Sequence, residues 1–297
     1  MLPALLTTIL FSFSAIAANR SVSQLGSSTA NVSRLLLAAF TLGIVAIITG
    51  VFPGWWVFWI FFLSGVVGFG FGDIGVFYAL PRLGSRLCIL YTQCVAAPIA
   101  GIIEWLWMGT SLSSLQILWA AMTLVGVAIA LDPRHAQNFK KELWLSGTLF
   151  GLLAAFGQGA GAVISRYGYD VATATHETVP PMTAAGFRVF GGVLVATIAF
   201  LIVEKKERAS LTQTRKRKFV ILFIILNALA GPILGVSCYQ WALAVQPSFV
   251  VLPIVALSPI VVIPMSMLWE GDRPSISSIL GALIAVGSAI MLTLATI

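Results

Sequence analysis

The chain has 297 residues, 59% of them apolar and only 9% charged, with a formal net charge of +7 and a mean hydropathy of +1.01. A soluble domain carries about 25% charged residues, so ten acidic and seventeen basic side chains cannot coat a globular surface; disorder, which needs low hydrophobicity, is excluded as well. What remains is an all-helical polytopic membrane protein, because apolar runs of about 20 residues match spanning helices rather than barrel strands of about 10.

The apolar runs predict ten spans, near 2–18, 35–52, 55–80, 87–108, 112–131, 143–165, 182–203, 219–243, 248–269 and 275–296. Ala15-Ile16-Ala17-Ala18 resembles a signal-peptidase site, but nothing basic precedes Arg20, so this segment reads as span 1. Pro53-Gly54, Gly109-Thr110-Ser111 and Gln246-Pro247 are short connections, which make their flanking helices antiparallel neighbours. Longer loops are expected at 132–142, 166–181 and 204–218, the last a solvated anchoring loop with seven basic residues. Cys88, Cys94 and Cys238 lie in apolar runs without CxxC spacing and read as small buried hydrophobes, so neither a disulfide framework nor a zinc site is implied.

The two halves repeat each other. Gly72 and Tyr78-Ala79-Leu80 in span 3 match Gly235 and Trp241-Ala242-Leu243 in span 8. Pro98 matches Pro259, the Val125-Gly126 pentad matches the Val286-Gly287 pentad, and Arg34 opening span 2 matches Arg188 in span 7. This divides the chain into repeats at 1–132 (spans 1–5) and 143–297 (spans 6–10). Five is odd, so the second repeat starts from the opposite face of the bilayer. Inverted repeats of this kind belong to alternating-access transporters with midplane substrate sites.

These residues resemble the drug/metabolite transporter superfamily, EamA type. The resemblance rests on Arg34 and Arg188, on the Gly68-Phe69-Gly70-Phe71-Gly72 run closing at Ala79-Leu80 with its counterpart Gly231 to Ala242-Leu243, on Pro98 and Pro259, and on Glu270, Gly281 and Gly287. One departure is that Gly109 stands where the second repeat has Glu270. The resemblance implies a permease for amino acids or related amphipathic metabolites, with export favoured and the proton gradient a candidate coupling source. It also implies a plasma-membrane location of the bacterial type.

Fifteen of the seventeen basic residues fall on the side of loops 1–2, 3–4, 5–6, 7–8 and 9–10. The positive-inside rule then puts loop 204–218 in the cytoplasm and both termini outside. That conflicts with the termini-inside topology usual for the resembled superfamily.

Asp73 is the one acid well inside a span. A charge at a helix centre costs about 2.5–3.5 kcal/mol on insertion scales, so it faces a cavity or a partner. It reads either as a substrate-amine or proton site or as a structural mate for an arginine; its repeat match is Val236, so a site there is asymmetric. Arg188, roughly 9 Å into its span at 1.5 Å per residue, could hold a carboxylate bidentately, snorkel to the interface, or build the fold as Arg34's mate. Glu104, near the end of span 4, is a gate candidate or an interfacial carboxylate. Gln93, Gln158, Asn227, Tyr239 and Gln240 are uncharged polar candidates for lining a pocket. Gly70, Gly72 and Gly235 permit close packing or unwinding, and Pro98 and Pro259 kink their helices or free a carbonyl.

Gly70-Phe71-Gly72-Asp73 and Tyr169-Asp170 resemble intramembrane aspartyl protease strings. They stand in reversed order, however, with the second pair expected in a loop. His135 and His176 are both expected in loops and form no metal motif, and there is no Walker lysine loop. The reading is a non-enzymatic secondary transporter of a small organic metabolite, with no cofactor and no metal. The alternatives are a sugar-phosphate or nucleotide-sugar exchanger of the same superfamily, and the protease. Expected partners are a small-molecule substrate and the lipid bilayer, not nucleic acid; a homodimer is admitted.

Overall fold

The computed structural model describes residues 2–109, 113–130, 141–210, 219–271 and 273–295. Every regular element among them is a helix. α1 (Leu2–Leu25) meets α2 (Ser27–Thr49) at Gly26, whose φ of 86° is a conformation that only glycine adopts cheaply. α3 (Trp55–Gly65) passes through a π-helical stretch, Val66–Gly72, into α4 (Asp73–Ile89). A second π-helical stretch, Leu90–Val95, leads into α5 (Ala96–Met108). Then come α6 (Ser114–Ala130), α7 (Lys141–Ala174) and α8 (Pro181–Ser210). α9 (Val220–Ala228) continues through a π-helical Leu229–Ile233 into α10 (Leu234–Val245). α11 (Ser248–Val255), α12 (Ser258–Trp269) and α13 (Ile276–Leu294) complete the fold.

Seven helical runs among the described residues are long and apolar enough to cross a membrane. One of these, Trp55–Trp107, has 53 residues, more than twice the about 20 that a span needs. It breaks at Gly84, where φ is 74° and ψ is 171°. Two further apolar helices, Ser114–Ala130 and Ile276–Met291, are shorter. Large apolar side chains such as Phe40, Ile48, Leu106 and Leu268 point outward, as a lipid solvent allows.

The first helix extends beyond the expected span, to Leu25, and the second begins earlier than expected, at Ser27. Arg20 therefore lies on α1, and Arg34 lies inside α2 rather than opening it, only 5% exposed. α7 reaches Ala174, so Arg166, Tyr169 and Asp170, expected in a loop, are helical. The physical reason is local. Arg166 and Asp170 pair at i,i+4 (2.9 Å), and Arg166 Nη1 donates to the carbonyl of Leu243 at the end of α10 (3.0 Å); both contacts support helix past the apolar stretch. α8 likewise carries residues 204–210 as helix. Arg134, His135, Lys140, Arg215, Lys216, Arg217 and Lys218 lie outside the described residues.

The packing is reciprocal. α1 packs on α9, α10, α11 and α12, while α7 packs on α3, α4 and α5; α2 pairs with α8, and α6 with α13. At the last crossing a Cβ on Gly126 would lie 2.4 Å from Ala285 N, and one on Gly281 would lie 2.3 Å from Ala130 N. Backbones this close need glycine, the usual device where lipid supplies no hydrophobic drive between helices. Gly287, matched to Gly126 by sequence, meets nothing within 4 Å; the tight position in α13 is Gly281. The glycines of α7 pack in the same manner: a Cβ on Gly157 would lie 2.4 Å from Gly72 Cα, and one on Gly159 would lie 2.7 Å from Ala96 O.

The helix irregularities also recur. The π-helical stretches of α3–α4 and α9–α10 begin at Val66 and Leu229, 163 residues apart. Pro98 and Pro259 each fall in the first turn of the helix that follows an irregularity, where a missing N–H costs little. The break between α11 and α12 is satisfied from α1: Thr8 Oγ1 donates to Ile254 O (3.0 Å), and Ser12 Oγ donates to Ser258 O (3.2 Å). Irregular backbone at membrane depth needs such partners.

Candidate functional site

A cavity of about 90 Å³ lies where α1, α2, α7 and α8 meet the π-helical stretches. Its charged lining residues are Arg34, Asp73 and Arg188; Gln93, Gln158, Asn227 and Tyr239 also line it. Six of the residues that the sequence marks for contacting a substrate therefore converge here: Asp73, Arg188, Gln93, Gln158, Asn227 and Tyr239. Asp73 leads α4 directly after the glycine-rich π-helical stretch. π-helical insertions re-aim the residues beside them and are frequent at functional sites.

Two polar clusters frame the cavity. In the first, Arg34 donates to Asp73 Oδ2 in an ion pair and to Asn31 Oδ1 (3.3 Å), and lies over the Phe77 ring (4.7 Å). Ser14 Oγ donates to Asn227 Oδ1 (2.8 Å) beside it. In the second, Arg188 Nη1 donates to Ser165 Oγ (3.0 Å), which lies 2.8 Å from Ser64 Oγ. Each arginine fills the space left by a glycine: a Cβ on Gly231 would lie 3.0 Å from Arg34 Nη1, and one on Gly68 would lie 2.7 Å from Arg188 Nη2. Gly231 and Asn227 stand 163 residues after Gly68 and Ser64, so the clusters are built alike with one substitution of chemistry. The first has a carboxylate, whereas the second has Val236 in the matching place.

A model of the EamA-like transporter family matches residues 145–294, which is half of the chain and covers α7 through α13. The chain belongs to the EamA-like transporter family. Members are membrane transporters of the drug/metabolite transporter superfamily and not enzymes, and this EamA chain is a multi-pass membrane protein. A solved crystal structure of a protein with 18% identity covers 99% of this chain and 98% of its own, with a TM-score of 0.65; at that identity the likeness is one of fold. No curated protein matches the sequence.

The remaining candidates take other places in this EamA fold. Gln93 Oε1 accepts from Gln158 Nε2 (3.5 Å), joining α7 to the second π-helical stretch. Gln240 is fully buried behind the cavity, donating to Ser165 Oγ (3.3 Å) with its Oε1 unpartnered. Glu104 accepts a hydrogen bond from Ser248 Oγ, away from the cavity. Glu270 accepts from Ser85 Oγ and from Asn19 Nδ2 (2.9 Å). Ser85 and Ser248 stand 163 residues apart, each just where a helix restarts. The two glutamates thus make equivalent braces, each tying the end of one helix to the start of another across the protein. Glu104 does in the first half what its Gly109 cannot. The five-residue register shift hides the equivalence from alignment by position, although the repeated Ser85 and Ser248 are legible. Asn227, a polar candidate from the sequence, lines the cavity, whereas Ser14 and Ser165 are groups beside the arginines that sequence reasoning passes over. Among the described residues no three His, Cys, Asp or Glu come together as a metal site.

Proposed function

We propose that this chain is a secondary transporter that moves a small organic metabolite, amino-acid-like or related, by alternating access. It would work as ten spans in two inverted five-helix repeats, with export favoured and the proton gradient as a candidate coupling source. The cavity between the halves carries this reading: it is lined by three charged and several polar side chains, and it is held by paired helices whose contacts are reciprocal. Further support comes from the matched π-helical onsets, from Gly84 dividing the 53-residue run, and from the two equivalent glutamate braces. A two-fold axis in the membrane plane would exchange α1 with α7 and α2 with α8, which is the relation that lets one architecture open to either side. At about 90 Å³ the cavity is small and must expand to take its cargo.

Asp73 and Arg188 are the charged contacts in this scheme, with Gln158 and Gln93 orienting the substrate and Glu104 and Glu270 bracing the ends. The test is metabolite profiling of cells and medium with wild type and with Asp73→Asn at matched membrane levels. One compound class should accumulate outside only with wild type. Identical profiles across wild type, variant and empty cells would refute the proposal.

A further inference from the structure

The geometry points to a substrate that carries a single net negative charge, with its carboxylate seated at Arg188. This inference rests on the reading of the cavity as the transport site and narrows it to a charge class. Its basis is the asymmetry between two otherwise matching clusters.

The cavity is lined by two guanidinium groups and one carboxylate. Asp73 is committed to Arg34, in direct contact, with both side chains largely buried. Arg188 is 2% exposed and has no carboxylate within 4 Å among the described residues. Among those residues it donates to a neutral hydroxyl, Ser165 Oγ, and its Nε is buried without any partner. The Phe69 and Tyr239 rings lie 5.6 and 5.9 Å from Cζ; a ring face offsets a cation only partly. The Tyr239 hydroxyl is also unpartnered. A buried cation with no carboxylate in contact is costly, and here it comes with spare donors beside an open space. A carboxylate satisfies all of these at once: it accepts from the guanidinium in a bidentate fork, accepts from the tyrosine hydroxyl, and brings the cavity to neutrality. A zwitterion or a cation leaves the cavity with its surplus positive charge.

Val236 supplies an independent check. It occupies the place in α10 that Asp73 occupies in α4, so Val236→Asp builds a second internal counter-ion and competes with the substrate without removing the arginine. The experiment uses the full chain in proteoliposomes loaded with two nearly isosteric probe pairs, lactate with alanine and glutamate with glutamine, plus lysine. Efflux is measured by mass spectrometry against protein-free vesicles. At least one anion should leave tenfold or more faster than its uncharged counterpart, and the ratio should fall to near one in Arg188→Gln and in Val236→Asp, both checked for unchanged size-exclusion elution. If alanine, glutamine or lysine leaves as fast as the anions, the charge class is wrong and the transport reading stands. A ratio that persists in both variants overturns the assignment to Arg188. If no probe leaves faster than from empty vesicles, this inference and the transport reading fall together.

Discussion

Removing one member of the Arg34–Asp73 pair strands the other inside the protein. The side chains are 6% and 12% exposed, and the exposure of Asp73 is toward the cavity it lines. Breaking a buried ion pair from one side costs about 3–5 kcal/mol; water in the cavity moderates the penalty, which places Asp73→Asn and Arg34→Gln near the lower end, about 3 kcal/mol each. The double variant leaves no charge unpartnered, so its loss should be clearly smaller than the sum of the two. Cys88 and Cys94 are buried in the core while Cys238 is partly exposed, so in a Cys238→Ser background labelling by a thiol-reactive dye during heating reports unfolding of the detergent-solubilised protein. Additive losses in the double variant would refute the pairing, as would single variants that melt with wild type.

At the α6–α13 crossing, Gly126→Ala and Gly281→Ala should each cost about 1–3 kcal/mol through overpacking, since their Cβ atoms would press on backbone. Gly287→Ala, with nothing within 4 Å, should be neutral or stabilising by up to about 1 kcal/mol through helix propensity; the same melts decide it, and equal effects at all three sites would contradict the crossing. Ser85→Ala and Ser248→Ala should each cost about 1.5–3 kcal/mol, the range for a hydrogen bond to a charged group. Sensitivity at Ser248 alone would break the equivalence of the two braces. For orientation, the loop charges expect a carboxyl-terminal alkaline phosphatase fusion to be active and a green fluorescent protein fusion to be dark; the reverse pattern overturns the charge-based topology.

Much of the site is legible in the sequence. Asp73 and Arg188 stand out because a charge inside an apolar run is expensive and must have a use. Gln93 and Gln158 stand out for a weaker form of the same reason. Which of them face each other is not legible. Helical periodicity gives a residue's face on its own helix, but not which helix lies opposite, and hydropathy falls around Arg34, which makes it read as the opening of a span. The fold places it inside α2, where Asp73 removes the cost that hydropathy registers. The helical Arg166–Asp170 segment escapes sequence reading for the same reason: two charges that cancel look like a loop to a scale that adds residues singly.

The sequence by itself determined that the chain lives in a membrane, that it is helical, and that its halves carry matching marks, because composition, run length and repeat spacing are properties of the chain alone. Only the tertiary structure decided that Asp73 belongs to Arg34 while Arg188 keeps no counter-ion among the described residues. It also decided that Gly281 and not Gly287 makes the close crossing, and that Glu104 does for one half what Glu270 does for the other. Charge pairing and backbone contact depend on distances of a few ångströms between helices far apart in sequence, and such distances exist only once the helices have packed.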